Sequence, residues 1–259
     1  MSGRPDPDEV GVELSRQRRH TLFFLEEVRD FSPVFLDTEV DMGRVLAHRT
    51  AAREREGVRF GISSYVLYAA GRVLAAHPDA NAAVRRGPRG PRVAHYPFVH
   101  GKLALDRTLQ GRRVVLGTVV PDVHEAELDA IQKHVDRVRD GDPERLEEFE
   151  GIRRLHGLPW AEGRRTFRRA AASLALRPRL TGTFSVSSLG HRAVDSFHSV
   201  GGTTTTFGVG RIVDRVVVRG GEPAVAPVLR LSLSFDHRVI DGAEAADVLT
   251  EVKEALESV

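Results

Sequence analysis

The sequence has 259 residues, of which 41% are hydrophobic, and it contains no cysteine. This composition predicts a folded protein with a large core, and the missing cysteines exclude disulfides, thiolate metal sites and a cysteine nucleophile. The basic residues are three lysines and 35 arginines, yet the net charge is only +2. A nucleic-acid-binding protein usually carries a larger cationic excess, so we expect no nucleic-acid partner.

The N-terminal half predicts an alternation of helices and strands. Residues 1–13 are rich in Pro, Asp and Gly and are predicted to form a flexible tail, with a single domain over residues 14–259. Neither a signal peptide nor an apolar run of membrane-spanning length is visible, so we predict a cytoplasmic protein without a membrane partner. The expected elements are a helix from Leu14, a strand over 32–42, helices over 43–56 and 63–77, and three strands between Arg92 and Val120.

The centre of the chain is predicted to be helical and the C-terminal part mostly β. One helical face recurs over residues 128–138, a second helix is expected to begin with Asp142 as its cap and Pro143 at its first position, and a third covers 163–176. Beyond Thr181 the chain shows several short β runs and a last helix over 243–256. Because strands and helices are interleaved, the fold class is α/β, or an α+β sandwich, with helices covering a mixed sheet.

The stretch "VLRLSLSFDHRVIDG" places a histidine where a strand ends. Its apolar residues alternate as in a half-buried strand, and the strand leads to His237. A histidine has an ordinary pKa near 6.5, which suits general acid–base chemistry near neutral pH. Asp241 follows four residues later, just before Gly242, which we expect to permit a tight bend. Taken alone, this pattern is more typical of a turn whose histidine is simply hydrogen-bonded.

A second stretch, "TGTFSVSSLGH", changes that interpretation. Thr183, Ser185 and Ser187 share one face of a strand, while Phe184 and Val186 share the other. Together the two stretches resemble the catalytic domain of the dihydrolipoyl acyltransferase component of 2-oxo-acid dehydrogenase complexes. That family carries Asp-His-Arg-x-x-Asp-Gly near its C-terminus and Gly-x-Phe-(Thr/Ser)-hydrophobic-Ser some fifty residues earlier. Weaker likeness in "SPVFLDTEVDMGRVLAHR" and "SSYVLYAAGRVLAAHPDANAAV" extends the resemblance over most of residues 14–259.

The resemblance implies a fold and a role for each matching residue. Chloramphenicol acetyltransferase is similar in fold and catalytic histidine, so a chloramphenicol-acetyltransferase-like mixed sheet is expected. His237 would be the general base, and the hydroxyl of Ser187 would hydrogen-bond the oxyanion of the tetrahedral intermediate. Asp241, supported by Gly242, would hold the turn in shape by pairing with Arg18 of the first helix. A homotrimer with its active site between subunits is the implied assembly.

The resemblance also implies substrates. Coenzyme A or a phosphopantetheine thioester would serve as substrate, with neither a covalently bound lipoyl group nor a metal. The expected partners are a small acceptor with a thiol, amine or hydroxyl group, and an acyl carrier protein or a lipoyl domain. No lipoyl domain is recognisable, so a stand-alone acyltransferase is expected, and "FHSVGGTTTTFGVG" replaces the family's proline-containing run near the channel. The alternatives are a condensation-type biosynthetic enzyme of the same fold and a non-catalytic trimeric scaffold subunit of a dehydrogenase-like complex.

Overall fold

The computed structural model describes residues 14–259, and the predicted tail over residues 1–13 lies outside them. The described chain forms one six-stranded mixed sheet in the order β1-β8-β7-β6-β4-β5 and a separate β2–β3 hairpin. No helix within residues 14–259 has the length and apolar character needed to cross a membrane. The elements are α1 (Arg19–Glu27), β1 (Pro33–Asp41), α2 (Gly43–Glu56), α3 (Ile62–Ala76), β2 (Ala82–Gly87), β3 (Gly90–His95), β4 (Gly101–Leu109), β5 (Arg112–Val120), α4 (Leu128–Asp140), α5 (Glu150–Gly157), α6 (Trp160–Ala172), α7 (Arg177–Thr181), β6 (Phe184–Ser188), β7 (Thr205–Arg219), β8 (Glu222–Asp236) and α8 (Gly242–Glu257).

One face of the sheet is apolar and forms the core. Alternate residues of the central strands, such as Phe184, Phe207 and Leu233, are fully buried there. Helices α3 and α8 cover this face, and the apolar side of α8 is buried from Ala245 to Leu256. Burying each such side chain stabilises the fold by roughly 1.5–3 kcal/mol. The apolar residues that alternate along the strands therefore pack against the apolar side of α8, and together they form one core.

On the opposite face, strands β6, β7 and β8 carry small and polar side chains between Ser185 and Ser234, and an irregular segment of the chain covers them. This segment, over residues 195–204, lies directly on that face. Thr203 Oγ1 donates to Ser185 Oγ at 3.0 Å, and Ser232 Oγ donates to the carbonyl of Phe197 at 2.5 Å. A Cβ atom on Gly208 would lie 2.3 Å from that same carbonyl oxygen. Only glycine at position 208 lets the segment rest on β7.

The predicted fold class is confirmed, and most predicted elements are found. Helices α2, α3 and α8 begin and end within one residue of their predicted bounds. The short β runs beyond Thr181 proved to include two 15-residue strands, β7 and β8. The helix predicted from Asp142 is wrong at its start, because Asp142 Oδ1 instead accepts from the Glu144 amide at 2.9 Å in a turn, and α5 begins at Glu150. Neither β2 nor α7 was predicted.

Candidate active site

His237 follows the last residue of β8; its backbone is held by a hydrogen bond and its ring lies near a carboxylate. Its amide donates to the carbonyl of Ser32 at 2.9 Å, which ties the turn to the start of β1. Its Nδ1 lies 3.3 Å from Oδ1 of Asp241, and 46% of the side chain is exposed. When Nδ1–H points to this carboxylate, Nε2 keeps the lone pair and is the basic nitrogen. The arrangement presents a half-exposed imidazole base at the end of a buried strand.

An ion pair that the sequence did not reveal holds this turn in shape. Arg238 Nε donates to both carboxylate oxygens of Asp236, at 2.9 and 3.1 Å, and its Nη2 donates at 2.5 Å. The Asp236 side chain is only 3% exposed, and its backbone amide donates to Thr204 at 2.9 Å. The carboxylate raises the pKa of Arg238 above its ordinary value. Asp236 and Arg238 flank the histidine in sequence, and this proximity of opposite charges was the only feature from which the ion pair could have been predicted.

The predicted pairing of Asp241 with Arg18 is not formed within the chain. Asp241 is 88% exposed and contacts His237 instead. Arg18 is exposed in a short 3-10 turn that packs near β5, whereas Asp241 follows β8, and three strands separate β8 from β5. Gly242 begins α8 without a positive φ, and a Cβ there would meet nothing within 4 Å. The bend therefore does not require glycine within one chain.

Ser187 lies on β6 and does not approach His237 of the same chain. In the sheet register Ser187 pairs with Gly208, and Gly208 pairs with Ser232. His237 is five residues beyond Ser232 and two strands from Ser187, which separates their Cα atoms by about 19 Å at ~3.3 Å per residue and ~4.8 Å per strand. Two side chains cannot bridge that distance. The side chains of Ser187 and His237 are therefore far apart within one copy of the chain.

Small residues lie at the level of Ser187 across the sheet. Ala104 faces Gly117, and the neighbouring pair Leu103 and Val186 places Ala104 beside Ser187. We call this set the small-residue row; it consists of Gly117, Ala104, Ser187, Gly208 and Ser232. Because none has a side chain larger than a hydroxymethyl group, the row leaves a shallow trough on the polar face. The segment over residues 195–201 covers its Gly208 end.

Lys102 reaches into the other end of this row. Its Nζ lies 3.3 Å from the carbonyl oxygen of Gly201 and 5.0 Å from the centre of the Phe24 ring. Burial lowers the pKa of Lys102 to about 8. Sequence reasoning missed this residue, and its only signal was the rarity of lysine in an arginine-rich chain. Across residues 14–259 no group of three or more His, Asp or Glu side chains is placed to hold a metal ion.

Comparison with known proteins relates part of the chain to one family of enzymes. Residues 166–259 match the model of the 2-oxoacid dehydrogenases acyltransferase catalytic domain. The chain is 29% identical over 208 residues, 80% of its length, to the dihydrolipoyllysine-residue acetyltransferase component of the Bacillus subtilis acetoin cleaving system. It is 56% identical over 50 residues, 19% of its length, to the corresponding component of the B. subtilis pyruvate dehydrogenase complex. The aligned parts span 44% and 11% of those two relatives, so the chain corresponds to less than half of either.

Solved structures show the same fold. The chain superposes on the Azotobacter vinelandii dihydrolipoamide acetyltransferase with a TM-score of 0.71 and 22% identity, covering 99% of this chain and 97% of that one. It superposes on a chloramphenicol acetyltransferase with a TM-score of 0.50 and 18% identity, covering 95% of each chain. The shared architecture extends well beyond residues 166–259. The C-terminal part of the chain therefore matches the 2-oxoacid dehydrogenases acyltransferase catalytic domain, and the whole described chain shares the fold of these acetyltransferases.

Proposed function

We propose that the chain transfers an acyl group between a coenzyme A, lipoyl or carrier-protein thioester and a thiol, amine or hydroxyl acceptor. The observation that carries the proposal is the half-exposed imidazole of His237, with Nδ1 3.3 Å from Asp241, in the part of the chain that matches this family's model. His237 Nε2 removes the proton of the acceptor as it attacks the thioester carbonyl. The new bond forms, the carbonyl oxygen becomes an oxyanion, and collapse of the intermediate expels the thiolate, which takes up the proton from His237.

The hydroxyl of Ser187 is proposed as the donor to that oxyanion. Such a donor contributes roughly 2.7–4 kcal/mol to the stability of the transition state. The A. vinelandii relative was studied for the roles of a serine, a histidine and an asparagine in its catalytic mechanism. In that protein the histidine and asparagine are four positions apart, as His237 and Asp241 are here, and the serine precedes the histidine by 52 positions against 50 here.

We further propose that the working site lies between two copies of the chain in a homotrimer. The support is the separation of about 19 Å between Ser187 and His237 in one copy, estimated from strand spacing. A closed ring of identical subunits can present the Ser187 face of one copy to the His237 turn of the next. Each subunit then contributes half of every site.

Two single variants and their mixture test both parts of the proposal. His237→Ala and Ser187→Ala should each lower acyl transfer from acetyl-coenzyme A to a dithiol acceptor by at least about 100-fold, while circular dichroism stays unchanged. Full activity of His237→Ala would refute the role of the base.

Co-expression of the two variant chains then tests where the site lies. If the site is shared, one interface in four pairs an intact histidine with an intact serine, and roughly a quarter of wild-type activity returns. If each chain held its own site, no activity would return. The wild-type chain co-expressed with itself and each variant co-expressed alone are the controls.

A further inference from the structure

Lys102 differs from the other two lysines of the chain in having no acidic partner. Lys133 pairs with Asp129 at 2.8 Å, and Lys253 pairs with Glu257, both on helix surfaces. No carboxylate of residues 14–259 lies within 4.0 Å of the Lys102 ammonium. Lys102 lies instead on the polar face of the sheet, beneath α1, where burial is the sole cause lowering its pKa. A cation in such a place is costly unless an anion compensates it.

The contacts within the chain satisfy only part of the hydrogen-bonding capacity of the Lys102 ammonium. An ammonium has three N–H donors, and one of them reaches the Gly201 carbonyl at 3.3 Å. The Phe24 ring, 5.0 Å away, adds a cation–π attraction but accepts no ordinary hydrogen bond. A ligand oxygen can therefore still be bound.

The sheet register places Lys102 close to the proposed oxyanion donor. Lys102 pairs with Ser185, so it lies one strand and two residues from Ser187, about 8 Å between Cα atoms. Its aliphatic stem crosses the small-residue row at Gly117, where a Cβ would lie 2.8 Å from Cε of Lys102. The absence of a side chain on residue 117 thus makes room for this lysine.

We propose that Lys102 binds a carboxylate that the substrate carries a few carbons from the reacting carbonyl. This inference rests on the proposed acyl transfer and adds the substrate class. The carboxylate belongs either to the acyl group, as in a dicarboxylic acid thioester, or to the acceptor. The phosphates of coenzyme A do not fit this role, because the pantetheine arm holds them more than ten bonds from the thioester, whereas the Cα atoms of Lys102 and Ser187 are only about 8 Å apart.

The test compares matched substrates with and without a carboxylate. Succinyl-coenzyme A and butyryl-coenzyme A differ in the acyl group, and 3-mercaptopropionate and 1-propanethiol differ in the acceptor. All four combinations are measured with the wild type, Lys102→Met and Gly117→Ala. Lys102→Met keeps an apolar stem without the charge, and Gly117→Ala keeps the charge but displaces the stem. Lys133→Met removes an exposed, ion-paired lysine and is the control, with unchanged kcat/KM expected.

We expect the wild type to prefer the carboxylate-bearing member of one pair, and both site variants to reduce that preference roughly tenfold or more. If the variants lose only the preference for succinyl-coenzyme A over butyryl-coenzyme A, the carboxylate belongs to the acyl group. If they lose only the preference for 3-mercaptopropionate over 1-propanethiol, it belongs to the acceptor. No preference in the wild type, or an equal loss for all four combinations, overturns the inference and leaves acyl transfer standing. No transfer by the wild type with any combination overturns both proposals.

Discussion

Asp236 links the stability of the fold to the position of His237, the proposed general base, and replacing Asp236 by asparagine tests that link. The substitution removes a charge that is 3% exposed and that receives three hydrogen-bond contacts from the Arg238 guanidinium and one from the Arg238 backbone amide. Losing one partner of a buried ion pair costs roughly 3–5 kcal/mol. Because the Arg238 side chain is 26% exposed and can regain water, the expected loss is near the lower limit, about 3 kcal/mol. For a chain of this size, that loss lowers Tm by roughly 6–12 °C.

Urea denaturation followed by circular dichroism measures this loss. The midpoint should fall while the m-value stays constant, since the surface exposed on unfolding is unchanged. Asp106→Asn is the matched control, because Asp106 receives the same two-pronged contact from Arg113 at 40% and 68% exposure. A surface pair of that kind contributes less than about 1 kcal/mol.

Activity gives an independent readout at a temperature where the Asp236→Asn protein is folded. The rate of acyl transfer should drop in Asp236→Asn and not in Asp106→Asn, because Asp236, unlike Asp106, holds the turn that carries His237. Equal midpoints for the two variants would refute the stability argument. Unchanged activity of folded Asp236→Asn would refute the positioning role.

Two further predictions concern packing at other points of the fold. Burial alone would lower the pKa of His77, but Glu244 at 2.8 Å and Glu251 at 3.2 Å raise it above the ordinary value. The protonated His77 side chain therefore contributes its full stabilisation below pH ~6.5, and this stabilisation is lost as pH rises through the raised pKa. The wild type should have a higher free energy of unfolding than His77→Gln, and the difference should be larger at pH 6 than at pH 8.5. The opposite ordering would contradict this assignment. Gly208→Ala should lower that free energy by roughly 1–3 kcal/mol or more, because its Cβ would meet the Phe197 carbonyl at 2.3 Å. Gly151→Ala in α5, where nothing lies within 4 Å, should instead stabilise the protein by up to about 1 kcal/mol, and equal effects of the two substitutions would exclude the steric explanation.

The elements that sequence predicted best are those whose signals are local. The apolar stripe of α8 from Ala245 to Leu256 marks its buried side, and the helix follows immediately after Asp241. The same holds for α2, where Gly57 ends the helix in the left-handed conformation. The sequence predicted separate short β runs around residues 203–218, yet β7 continues through a bulge between Val209 and Ile212 because β8 pairs with it on both sides of the bulge. Long-range pairing overrides the local pattern of the sequence.

The site was predicted only in part, for a similar reason. The roles of His237 and Ser187 stay predictions from their flanking motifs, and Asp241 does contact the imidazole as its spacing allows. Lys102 could not be identified, because its burial depends on Gly117 in the next strand and on Phe24 in α1, 78 positions earlier. The pairing of Arg18 with Asp241 is not formed within one chain, because the 3-10 turn that carries Arg18 packs near β5 through contacts that no short motif encodes.

The trough beside Ser187 exists only because five strands align their smallest side chains at one level. Successive strand residues point to opposite faces, so a one-residue slip of β7 against its neighbours would bring Phe207 or Val209 to the polar side in place of Gly208. The same slip in β6 would bring Val186 or Ser188 to the position that Ser187 now occupies. The chemistry of this face of the sheet is thus set by the pairing of the strands, and a misaligned sheet would change it while its secondary structure content stayed the same.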